Sequence, residues 1–280
     1  MPQTRVIHGI SGPRNISTAL MYSFAQRPGC AVIDEPFYGP YLQRTGLEHP
    51  GRDQILAQIP NSVEASVDRI LSHCEQGYTE LYLKNMAHHM VEMPWDWAHQ
   101  AAHIFWIRHP RKVIRSFAKV WPHVGLADIG IEEQVEQWKL LDDFPGPRII
   151  VDSDEMLANP NLAFSKICAA LKLPHIEAMF QWEKGPKPYD GPWSPYWYAK
   201  VHETAGFGPP NNLGKPLHEH YADLEEEALP FFEELWKLRL SFPTNLAGET
   251  DKKWMIIKGH PDKSIYEDAG DMNHDRSRFS

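Results

Sequence analysis

The sequence predicts an α/β protein built on a parallel sheet with helices on both faces. Three observations predict it. Short, almost wholly apolar runs recur from Val6 to Val151; helical or loop stretches separate them; and polar signatures cluster where the runs end. Runs without alternating polar positions belong to strands buried on both faces, as in parallel sheets. Strand–helix alternation gives right-handed βαβ units, whose sheets bind ligands at the carboxyl ends of their strands.

In order, Val6-Ile7-His8-Gly9-Ile10 reads as the first strand, followed by a turn at Ser11-Gly12-Pro13 and a helix from Ser17 to Gln26. Cys30 to Ile33 is the second strand, ending at Asp34-Glu35-Pro36. From Asn61, Val63, Val67, Ile70, Leu71 and Cys74 recur at helical spacing. Glu80 to Lys84 is the third strand and His103 to Ile107 the fourth, closed by Arg108-His109-Pro110 and a helix to about Val120. Arg148 to Val151 is the fifth strand, with a helix from Asn161 to Leu171. Residues 186–212 are rich in Pro, Gly and aromatics, and a charged helix follows from His218 to Leu240, where Pro230 is expected to introduce a kink. These features divide the chain into one domain over 1–245, carrying an aromatic, Pro-rich insertion at 185–215, and an extension over 246–280 whose tail from Lys258 is polar and acidic.

Composition narrows the function. With 280 residues, 42% hydrophobic and 23% charged, the chain is ordinary globular material that can bury a substantial core. A net charge of −9 argues against an extended nucleic-acid surface but leaves room for a local basic pocket. No apolar run reaches the roughly 20 residues of a membrane span. The Met1-to-Arg5 start is not read as a signal peptide. Three cysteines make neither a disulfide framework nor a zinc site. The expected setting is the cytoplasm, with no metal.

Two constellations carry the chemistry. Ser11-Gly12-Pro13-Arg14-Asn15-Ile16-Ser17-Thr18 stands between the first strand and first helix. A turn there aims free backbone N–H groups and the helix dipole at an anion, with Arg14, Ser17 and Thr18 adding donors. On the blander reading, Ser17 only caps the helix and Arg14 is a surface charge. Neither the Walker pattern nor G-x-G-x-x-G is present, which disfavours an ordinary ATPase or a Rossmann dehydrogenase. The second constellation sets Arg108 at a strand tip and Ser116 two helical turns on, able to approach one anion from two sides. Lys112 and Arg115 between them also read as a solvated basic face.

Together the segments resemble the sulfotransferase superfamily, which uses 3′-phosphoadenosine 5′-phosphosulfate (PAPS). Pro13-Arg14-Asn15-Ile16-Ser17-Thr18 is similar to that family's 5′-phosphosulfate loop at the proline, the basic residue and both hydroxyls, with Asn15 for a serine and Ile16 for a glycine. Arg108 and Ser116 resemble its 3′-phosphate pair. The adenine-stacking aromatic of cytosolic members is Ala19 here, and no clear Arg-Lys-Gly loop is seen, so the likeness runs to the divergent bacterial and carbohydrate-type branches. The resemblance implies a P-loop NTPase-like sulfotransferase fold and a cofactor site of Gly12, Pro13, Arg14, Asn15, Ile16, Ser17, Thr18, Arg108 and Ser116. It also implies a base: either Glu35 at the second strand's end or His88 or His89 after the third, with Glu35 favoured. Arg14 and Lys84 would steady the departing nucleotide. Glu35 could instead form a structural pair with Arg14. The expected reaction is metal-free, in-line sulfuryl transfer from PAPS to a hydroxyl or amine of a small molecule or carbohydrate. Phe37, Tyr38, Tyr41 and the aromatics from Trp193 to Tyr198 either line the acceptor pocket or belong to the core. The alternatives are a non-catalytic nucleotide- or phosphate-binding protein and a divergent kinase or nucleotide hydrolase.

Overall fold

A computed structural model describes residues 3–242; the expected extension over 246–280 lies outside them. Five strands form one sheet in the order β2-β3-β1-β4-β5, and every pairing is parallel. They are β1 (Arg5–Ser11), β2 (Cys30–Asp34), β3 (Glu80–Met86), β4 (Ala102–Ile107) and β5 (Arg148–Asp152). The helices are α1 (Ser17–Ala25), α2 (Tyr38–Thr45), α3 (Arg52–Leu56), α4 (Val63–Cys74), α5 (Pro110–Phe117), α6 (Leu126–Ile129), α7 (Ile131–Leu140), α8 (Ser153–Ala158), α9 (Pro160–Ala170), α10 (Ser194–Trp197), α11 (Ala199–His202) and α12 (Glu219–Lys237).

Alternation along the strands splits the core in two. Ile104 and Trp106 of β4, with Ile7 and Tyr82, pack against α1, α8 and α9 through Leu20, Phe24, Met156, Phe164 and Ile167. Phe105 and Ile107, with Leu81 and Leu83, face α4, α7 and α12 through Ile70, Val135, Phe232 and Leu235. Both faces are thus apolar, which is why the strands read as continuous hydrophobic runs. A third, smaller cluster joins Tyr38, Tyr41, Leu42 and Ile55 to Trp193 and Tyr198. Helix α12 continues past Pro230, which lies inside it, with Ala228 and Phe232 buried on either side. α5 ends at Phe117 rather than near Val120. No helix among the described residues is long and apolar enough to cross a membrane.

Candidate active site

The turn from β1 to α1 is forced into an unusual path. A Cβ on Gly12 would lie 2.3 Å from the Ile129 carbonyl oxygen, so only glycine fits there. Arg14 (φ 58°) and Ile16 (φ 52°) are both left-handed, a conformation costing a non-glycine residue on the order of 1–2 kcal/mol. Long-range contacts impose it. The buried Asn15 amide donates to the Trp106 carbonyl and accepts from Ser153 Oγ at 2.6 Å. Arg108 Nη1 donates to the Arg14 carbonyl at 3.0 Å. Ile16, with no side-chain cap, begins α1, so the Ser17 hydroxyl is not used as a cap. Among the described residues nothing accepts from the backbone N–H groups of Asn15, Ile16, Ser17 or Thr18. They form a cradle of donors at the positive end of a helix.

Arg14 has no carboxylate partner among the described residues; its Nε donates to Ser116 Oγ at 3.0 Å. Burial, then the nearby Arg108 charge, lowers its pKa, the mark of a cation awaiting an anion. Arg108, expected with Ser116 to approach one anion from two sides, also has a partner within the protein. It forms a fork with Asp154 at 3.1 and 3.3 Å, and Lys112 reaches the same carboxylate at 3.0 Å. A guanidinium half-buried at a strand end needs an internal counter-charge, and α8 supplies it.

At the ends of β2 and β3, Lys84 Nζ donates to Asp34 Oδ1 (2.9 Å), to Tyr198 OH (2.6 Å) and to Glu35 Oε1. Glu35 therefore pairs with Lys84 and not with Arg14. Burial raises the Glu35 carboxyl to about 6, with Lys84 pulling it down and Asp34 pushing it up. Burial works against the Lys84 charge, but Asp34 and Glu35 outweigh it and the pKa rises. His89 Nδ1 lies 3.8 Å from Glu35 Oε2, too far for a hydrogen bond. Burial drives the His88 pKa down to about 3 and that of His89 far below its ordinary value. Both rings are neutral at physiological pH.

These groups open onto one cavity of about 540 Å³, whose wall includes every nominated cofactor-site and catalytic residue except Gly12. The wall also includes Tyr38, His49, Trp121, Trp193, Trp197 and Tyr198. Of the aromatics nominated from sequence, Trp193 and Tyr198 serve both core and cavity wall, whereas Phe37 and Tyr41 are core alone. Sequence reasoning missed Asp34 and Asp154 and the hydroxyl role of Tyr198, together with Leu157, Thr204 and Phe207, which line the cavity. The Asp34-Glu35 dipeptide at a strand end was the available signal for the first.

A parallel sheet whose strand tips converge on a basic, N–H-lined cavity with a buried carboxylate–ammonium pair defines an anion-binding α/β protein equipped for proton transfer. The sulfotransferase domain family matches residues 5–239, and the chain belongs to that family. It is 35% identical over 234 residues to branched-chain-amino-acid aminotransferase-like protein 1 of Arabidopsis thaliana, covering 83% of this chain and 42% of that protein. It is 33% identical over 229 residues to the aminotransferase-like protein 2 of the same plant, covering 81% and 40%. The chain thus spans about two-fifths of the length of these curated relatives. The sulfotransferase domain of the Synechococcus PCC 7002 olefin synthase shares the fold at a TM-score of 0.56 and 18% identity, over 87% of this chain and 98% of that one.

Proposed function

We propose that the protein transfers a sulfuryl group from PAPS to a hydroxyl or amine of a small molecule or carbohydrate by in-line displacement. The observation that carries the reading is one cavity holding, among the described residues, acceptor-less backbone N–H groups and an Arg14 without a carboxylate partner, beside the Glu35–Lys84 pair. The cradle fits a nucleotide phosphate, because its donors and charge have no internal partner. When bound, PAPS supplies an electrophilic sulfur joined to phosphate through a bridging oxygen.

Glu35, ionised above pH 6 and buried in the wall, takes the acceptor's proton. The acceptor's lone pair forms the bond to sulfur as the bridging S–O bond breaks, its electron pair passing to the phosphate oxygen. Arg14, Lys84 and the N–H groups of the cradle neutralise that oxygen, so positioned cations and dipoles supply the stabilisation a metal would otherwise provide. Arg108 holds the loop by its Arg14 carbonyl and, with Ser116, faces the 3′-phosphate in this reading. The neutral His88 and His89 shape the acceptor side.

Calorimetric titration with 3′,5′-adenosine bisphosphate, without magnesium and with ATP for comparison, tests the reading. Micromolar binding that Arg108→Ala weakens at least tenfold is expected. Preference for ATP with magnesium, or no binding, would rule the reading out.

A further inference from the structure

An ammonium has three N–H donors, and Lys84 spends all three inside the protein, on Asp34, Tyr198 and Glu35. A saturated lysine cannot neutralise a departing phosphate oxygen without releasing a partner, and its three partners are unequally held. Asp34 also accepts from Tyr198 OH (2.7 Å) and from the Gly191 N–H (3.0 Å), and it lies behind the cavity wall. Tyr198 OH also accepts from Trp193 Nε1 at 3.0 Å. Breaking either contact would disturb several buried hydrogen bonds at once. Glu35 lines the cavity itself, and its closest contact is Lys84.

We propose that Asp34 and Tyr198 are positioning residues that keep Lys84 saturated, and that Glu35 is the partner that yields: an anion in the cradle takes the third N–H of Lys84, releasing Glu35 as a base only once the donor is in place. The inference rests on the sulfotransferase reading above. It adds an order of events, in which donor binding precedes the unmasking of the base.

The electrostatics point the same way. The groups facing Glu35 are Asp34 of its own strand end, Lys84 of β3, Tyr198 beyond α10, Tyr38 of α2 and His89 after β3. Of these, Lys84 is the cation that draws the carboxyl down, while burial and Asp34 push it up. Moving Lys84 onto an incoming anion therefore tightens the hold of Glu35 on a proton, bringing the base closer to working pH.

The test counts protons. The full chain is titrated with 3′,5′-adenosine bisphosphate at pH 7 in two buffers of different ionisation enthalpy, and the protons exchanged on binding are compared with those for Glu35→Gln. Because the bisphosphate's own titration is common to both proteins, the difference isolates Glu35. The wild type is expected to take up a measurable fraction of a proton more than Glu35→Gln. Tyr198→Phe, which leaves Lys84 one donor to spare, is expected to bind with its affinity changed less than threefold and to lose that extra uptake. Equal counts for wild type and Glu35→Gln, or full uptake in Tyr198→Phe, would overturn the release of Glu35 while leaving the nucleotide site intact. Failure of the wild type to bind the bisphosphate would overturn the sulfotransferase reading and this inference with it.

Discussion

Glu35 adopts φ 35° directly before Pro36, where sterics push a residue toward extended backbone. Such a conformation costs on the order of 1–3 kcal/mol and persists only when its surroundings over-determine it. Here the Glu35 N–H is fixed to the Lys84 carbonyl at 2.8 Å and Ser66 Oγ donates to the Pro36 carbonyl at 2.7 Å. Glu35→Gln keeps this frame and removes the base, so kcat should fall about 10²–10⁴-fold with bisphosphate affinity little changed, as a donor-turnover assay beside calorimetry would show. A base must be ionised, so kcat/KM of the wild type should rise with pH through about 6 and level off above it; a profile flat from pH 5 to 8 would assign the proton elsewhere. Ile16 teaches a different lesson. A β-branched residue stands where the family's loop has glycine, yet the left-handed turn is kept. The cause is invisible in the local sequence, since the Asn15 clamp reaches Trp106 and Ser153, 91 and 138 positions away.

At the scale of elements, all five strands were legible to within two residues, because two-sided burial writes an uninterrupted apolar run into each. The short helices α3, α6, α10 and α11, of four or five residues, span little more than one turn and leave no periodic trace. The cradle and Arg108 were nominated from their positions at strand ends, Ser116 from its spacing after Arg108, and Glu35, Lys84 and the His88-His89 pair from the family resemblance. The encounters themselves were not legible: Tyr198 meets Asp34 across 164 residues and Asp154 meets Arg108 across 46, and aperiodic sequence carries no record of such contacts. The segment around residues 183–206 is the clearest case. Two buried carboxylates staple it down. Asp34 takes Gly191 and Tyr198; Asp190 takes Tyr22 OH at 2.7 Å, His202 Nε2 at 3.0 Å and the Lys187 N–H at 2.8 Å. Removing the second staple by Asp190→Ala strands three donors, so unfolding in urea should show a loss of about 2–4 kcal/mol. A loss below about 1 kcal/mol would mean the segment is held by its aromatic packing alone.

The molecule as a whole carries an imbalance of buried titratable groups. Among the described residues burial depresses six histidines: His88 to about 3, His103 and His109 to about 4, His8 and His89 well below the ordinary value, and His49 below it. Below about pH 6.5 the unfolded chain protonates these rings and the folded chain does not, so their contribution to stability is lost as pH falls. Three carboxyls work in the opposite sense, with burial raising Glu35 to about 6 and Glu133 and Asp152 to about 7. Six groups against three leave the histidines in control, and Tm should fall between pH 6.5 and 5; a Tm rising over that range would reverse the balance. The strand order has a further consequence, for the chain as it is synthesised. β1 and β2 emerge first but never pair with each other; β3 must insert between them, and it brings Lys84. Tyr198 follows 114 residues later. Such non-local pairings form slowly, and the turn from β1 to α1 waits for its own clamp at Ser153, which still leaves the ribosome before Tyr198 does. The order of synthesis thus delivers the residues of the β1–α1 turn and its clamp first and the residue that completes the Lys84 cluster later.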